Sequence, residues 1–176
     1  LKSARTIIDN FPEGFDVFSI VLNETGWKAN YHGEEYDFDI RTMSFNANET
    51  VKIDAAIVYV HGDPGENGKI RALLEIQQIP YVNSGPLASS LSFDKWYCNQ
   101  FLKGFNIPVA KSLFLRSIAE FSNQEIIETL GLPLFVKPSD SGSSYGISKV
   151  KSEAELTEAL KLAFKEGRTV VVESFL

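Results

Sequence analysis

The chain has 176 residues, 44% of them hydrophobic and 23% charged, with a formal net charge of −6. This is the composition of an ordinary globular protein of one domain or two small ones, and the acidic balance argues against nucleic acid as the main partner. No window approaches the roughly 18 continuous apolar residues of a membrane span, nothing at the start resembles a signal peptide, and the single cysteine, Cys98, excludes an intrachain disulfide and suits a reducing compartment.

Leu1, Ala4, Ile8 and Phe11 fall on one helical face, and Phe15 to Leu22 is strand-like. Trp27 to Asp37 reads as a small hairpin turning at His32-Gly33. Ile53 to Val60, IDAAIVYV, is a near-continuous apolar run, the pattern of a central strand covered on both faces. A helix with Ile70, Leu73 and Leu74 inward and a short strand at Tyr81-Val82 come next. Strand–helix–strand order through this half predicts a parallel α/β sheet.

A second unit is expected to start near Ser92. Residues 93–102 read as a helix ended by Gly104 and Pro108, and Ser112 to Leu115 as a strand. Ser122 and Glu125 have capping-box spacing for a helix ending at Gly131, and Ser152 and Glu155 repeat it. Leu156, Ala159, Leu160, Ala163 and Phe164 give the last helix an apolar stripe, closed by Gly167. Thr169 to Phe175 returns as a strand. Both ends read as internal to a longer chain.

The chemistry is concentrated in Leu134 to Ser148, LFVKPSDSGSSYGIS. A lysine on a strand, Lys137, runs into a serine- and glycine-rich turn, Ser139 to Gly146, and then into another strand. Glycine lets backbone approach a ligand, successive N–H groups form an anion-binding concavity, and the lysine adds a full charge. A flexible hairpin loop with a surface lysine would read the same way.

His61 stands at the end of the apolar run, with Gly62, Gly65 and Gly68 after it, where ligands bind in open α/β sheets. A turn histidine with a structural hydrogen bond is the alternative, and for His32 in its hairpin it is the better one. Glu66 and Asp63 could orient His61, bind an amine, or simply favour a helix start. Lys95 opens a helix, where a cation is disfavoured unless an anion is near. Trp96, Tyr97 and Phe101 read as core, and Cys98 as a small buried residue. Glu173 is an acid in an apolar strand, either facing solvent on an edge or placed there for a ligand. No metal cluster is visible.

Four segments, HGDPGENG, IPYVNSGPLASSLSFDK, LFVKPSDSGSSYGISKV and VVVESFL, resemble in order and spacing the motifs of D-alanine–D-alanine ligases, members of the ATP-grasp superfamily. The resemblance covers nearly the whole chain. It implies a parallel-sheet, Rossmann-like N-terminal α/β domain over 1–92, followed over 93–176 by part of an ATP-grasp α+β nucleotide-binding domain. It also implies that the family's first strand, with its glycine- and glutamate-bearing loop, and its C-terminal catalytic domain lie outside this sequence. The 176 residues alone are then expected to be poorly stable and inactive.

Carried over residue by residue, the resemblance implies that Lys95 and Lys137 hold the ATP phosphates. Ser141, Gly142, Ser143, Ser144 and Gly146 belong to the loop covering them, with Ser143 and Ser144 nearest the substrate. Glu173 accepts from the adenine amino group, and the backbone of Phe175 and Leu176 pairs to the ring edge. His61 touches the first D-alanine, with Glu66 beside it on the substrate side. ATP and magnesium, or manganese, are the implied cofactors, with the metal ligands beyond this sequence. A cytoplasmic homodimer is implied for the full-length protein, with no nucleic-acid or membrane partner. Asn67 replaces the family's usual aspartate and Phe93 a frequent methionine. D-Ala–D-Ser and D-Ala–D-lactate ligases, and a non-catalytic nucleotide-binding domain, are the competing readings.

Overall fold

The computed structural model describes residues 2–175; Leu1 and Leu176 are not among the described residues. The chain divides into two compact units, one running up to Tyr59 and joined by Leu73–Val82, the other made of Val60–Ala72 and the chain from Asn83 onward.

The first unit opens with helix α1 (Lys2–Asp9) and continues as a five-stranded meander: β1 (Ser19–Asn23), β2 (Gly26–Tyr31), β3 (Glu34–Asp39), β4 (Ser44–Asn46) and β5 (Thr50–Lys52). Each strand pairs antiparallel with the next. The expected hairpin is β2–β3. His32 and Gly33 turn it with φ of 49° and 89°, the double left-handed conformation that matches strand twist in a two-residue loop. Phe45 is buried, and the rings of Phe18, Tyr31 and Tyr36 surround it at 5.1–5.4 Å between centroids.

The parallel N-terminal sheet expected from Ile53 to Val60 is not what these residues form. Ile53 still belongs to the meander, donating its N–H to Met43 O at 3.2 Å. Only β6 (Ala56–Ile57) pairs in parallel, with β7 (Tyr81–Val82). Ile57 and Tyr59 are 44% and 51% exposed, so the apolar run is shared between two small sheets rather than buried in one. Helix α2 (Lys69–Ile76) lies between β6 and β7 in sequence, as expected.

The second unit is built on an antiparallel sheet in the order β10-β9-β11-β8. Its strands are β8 (Ser112–Leu115), β9 (Leu134–Pro138), β10 (Ser148–Val150) and β11 (Val170–Ser174). Helices α5 (Asn123–Leu130) and α6 (Glu153–Glu166) cover one face. Period-two alternation sends Leu134, Val136, Val170 and Val172 into that core, where they meet Leu156 and Leu160 of α6 and Ile126 of α5. Each such side chain contributes roughly 1.5–3 kcal/mol on burial. The Ser122–Glu125 capping box forms in full. At α6 the serine instead donates to Glu155 while Glu155 reaches Lys151 N–H, so the second box is not made.

The helix expected over 93–102 is α4 (Lys95–Gly104), shifted by two residues, and a further helix not expected from the sequence, α3 (Pro86–Phe93), precedes it. Asp94 ends one and begins the other, its side chain accepting from the N–H groups of Trp96 and Tyr97.

Candidate active site

Residues Phe135, Lys137, Val171 and Glu173 alternate with the core residues and so share the sheet face opposite α5 and α6. The Lys137 ammonium pairs with Glu173 Oε2 across the β9–β11 ladder, and the other carboxylate oxygen accepts from Asn99 Nδ2 at 2.9 Å. Glu173 is buried, and β11 is hydrogen-bonded on both sides, so it is no edge strand. Asn99, one helical turn beyond Lys95 on α4, was not singled out from sequence, although the i, i+4 spacing carries that signal.

Lys95 is half-buried, and its Nζ donates to Ser141 O at 2.8 Å. Burial, and then the charge of Lys137, lower its pKa below the ordinary lysine value. The carboxylates of Asp94, Asp140 and Glu173 act on Lys95 in the opposite sense but do not cancel the effect, and a partly desolvated ammonium beside a second one favours an anionic ligand.

The loop from Pro138 to Ile147 carries Ser143, Ser144 and Gly146 at φ of 54°, 59° and 71°. A side chain at Gly146 would meet Pro138 Cγ and Glu166 Cβ at 2.9 and 3.0 Å. At Gly142 it would lie 3.1 Å from Glu66 Oε2 and 3.3 Å from Gly62 Cα, so the loop tip lies against the segment holding His61. Within that segment Gly62 and Glu66 exchange hydrogen bonds: Gly62 N–H to Glu66 Oε2, and Glu66 N–H to Gly62 O, both at 2.7 Å. His61 Nδ1 stands 3.8 Å from Glu66 Oε1. Asp63 is instead held by Lys69 at 2.7 Å, which lowers its carboxyl pKa.

Two open concavities of about 330 and 320 Å³ flank this loop. One is lined by Lys95, Glu66 and Ser141–Ser144, the other by His61, Asp140, Tyr145 and Ser141–Ser143. Lys137, Glu173, Phe175 and Gly146 line neither. The Phe175 N–H donates to Pro133 O at 3.2 Å, which leaves only its carbonyl for a ring edge, and Lys149 Nζ sits 3.6 Å over its ring. Leu176 falls outside the described residues. Tyr97 and Phe101 are 57% and 50% exposed rather than core. His32 packs on Tyr31 in its turn. Among the described residues no group of three or more acidic, histidine or cysteine side chains could hold a metal, and no helix is long and apolar enough to cross a membrane.

The second unit is an α/β fold of the type found in the ATP-grasp domain of D-alanine ligases. Residues 101–176 match the family model described as D-ala D-ala ligase C-terminus. The whole chain is 35% identical to a D-alanine–D-alanine ligase of Azobacteroides pseudotrichonymphae, covering 56% of that protein. Two solved structures are similar over nearly all of the chain. D-alanyl-alanine synthetase A of Vibrio cholerae aligns with a TM-score of 0.85 at 29% identity, covering 98% of this chain and 54% of that one. The VanG D-Ala:D-Ser ligase of Enterococcus faecalis aligns at 0.84 and 28%, covering 99% and 57%. The chain spans about half the length of the relatives it matches.

Proposed function

We propose that the protein is an ATP-dependent ligase that joins two D-alanines into D-alanyl-D-alanine for peptidoglycan precursor synthesis. The observation that carries this reading is the gathering of Lys95, Ser141–Ser144, Glu66 and His61 around one loop. The half-buried lysine pair suits polyphosphate, which supports ATP as co-substrate. In this reading Lys95, Lys137 and the loop N–H groups hold the phosphates, and Glu173 and the Phe175 carbonyl face the base. A divalent cation, magnesium or manganese, would supply further charge neutralisation at the phosphates, from ligands outside the described residues.

The γ-phosphoryl group passes to the carboxylate of one D-alanine, giving an acyl phosphate and ADP. The amine of the second attacks the carbonyl carbon, the C–O bond to phosphate breaks, and the amine proton is released. Charge builds on phosphoryl and carbonyl oxygens, so the cations and the N–H groups of Ser143 and Ser144 are the stabilising groups. In this reading His61, whose Nδ1 lies 3.8 Å from Glu66 Oε1, holds the first carboxylate. The loop excludes water that would otherwise hydrolyse the activated acid. A nucleotide-binding portion within 93–176, a cytoplasmic location and a homodimer complete the proposal.

Similarity to a D-Ala:D-Ser ligase makes D-serine the second acceptor to test. In the full-length protein, phosphate release from ATP should depend on D-alanine and yield the dipeptide. Release without D-alanine, or a mixed product with D-serine or D-lactate as the major one, would reject the assignment.

A further inference from the structure

Two lysines on different elements serve one ligand only if those elements keep a fixed spacing. Lys137 belongs to β9 and Lys95 opens α4; the groups that join them belong to Ser139 and Asp94. Ser139, one residue past β9, is fully buried. Its N–H donates to Thr169 O at 2.8 Å, just before β11, and its carbonyl accepts from Lys95 N–H at 2.9 Å. Its hydroxyl accepts from Trp96 N–H at 3.2 Å and donates to Asp94 Oδ1 at 2.5 Å. The same carboxylate oxygen accepts from Trp96 and Tyr97 N–H at 3.0 and 3.1 Å.

One serine thus spends every polar group on a junction between the Lys137 strand, the Glu173 strand and the first turn of the Lys95 helix. Capping α4 needs only Asp94, since an N-cap carboxylate satisfies the first turn unaided. A buried hydroxyl is costly unless bonded, and this one finds its partners only when α4 begins against the end of β9.

We infer that Ser139 and Asp94 are positioning residues: they act through Lys95 and Lys137, fixing the separation at which the two ammonium groups meet a polyphosphate. The inference rests on the proposed phosphate role of the two lysines. A purely structural clasp would affect all ligands alike, whereas a spacing device affects the phosphates and spares the base.

The test compares ATP, by isothermal titration, with adenosine, by ligand-observed NMR, for the parent protein and for Ser139→Ala, Ser139→Thr, Asp94→Gly, Lys95→Ala and Lys137→Ala. Ser139→Ala should weaken ATP about tenfold, leave adenosine unchanged, and be rescued by Ser139→Thr. Asp94→Gly keeps an acceptable helix cap while removing the acceptor, and should show the same selective loss; it decides the matter if Ser139→Ala does not fold. Equal loss of ATP and adenosine, or parental ATP affinity in both clasp variants while the lysine variants lose it, overturns the positioning role. Parental affinity in Lys95→Ala and Lys137→Ala instead overturns the phosphate reading beneath it.

Discussion

Lys95 holds its proton less firmly than an ordinary lysine, because burial and then the neighbouring Lys137 lower its pKa from 10.5. Between that lowered value and 10.5 the unfolded chain binds a proton that the folded one does not. Stability therefore rises with pH across this window, and the gain is lost again as pH falls through the lowered pKa. Ligand affinity runs the other way, since a neutral amine no longer attracts phosphate. ATP affinity should decline with rising pH before ordinary lysines titrate, and Lys95→Arg should flatten that decline because guanidinium stays protonated. Titrations with ATP across alkaline pH check this; an equally steep fall in the arginine variant would place the titration elsewhere.

At the scale of elements, the His61–Glu66 turn depends on Gly65. A Cβ there would lie 2.0 Å from Val60 O and 2.5 Å from Val60 Cβ, contacts that only backbone movement relieves. The Gly65 carbonyl is also held by the buried Arg71 guanidinium. Gly65→Ala should destabilise the protein by roughly 1–3 kcal/mol, read by urea denaturation, and should raise hydrogen exchange at Gly62 and Glu66. Sequence showed this glycine but not its neighbour, because close approach is a tertiary fact. The α6 stripe and the Ser122 box were legible because both are local in spacing. The Ile53–Val60 segment was misread because an apolar run carries no information on which sheet takes each residue. The Phe93–Leu102 helix was placed two residues early and α3 before it was missed, because Asp94 caps α4 within a continuous helical pattern.

For the molecule as a whole, a ligand held by the second unit should stabilise it by mass action, about 2.7 kcal/mol at one hundred times its Kd. Thermal unfolding with ATP should rise accordingly, and Lys137→Ala should abolish most of the rise. The sheet carrying Lys137 was legible through that lysine and its serine loop, and the β2–β3 hairpin of the meander through its His32-Gly33 turn, whereas β4 and β5, three residues each, were too short to leave a pattern. The chain has two tryptophans, and each unit received one. Trp27 stacks on Phe38 at 6.2 Å in the meander, while Trp96, next to Lys95, stacks on Phe114 at 5.1 Å. The molecule thus carries two native fluorophores, and single-tryptophan variants, Trp96→Phe and Trp27→Phe, would report the units one at a time. Nucleotide should shift the emission of Trp96 and leave that of Trp27 unmoved, and two emission midpoints in urea would mean that the units melt separately.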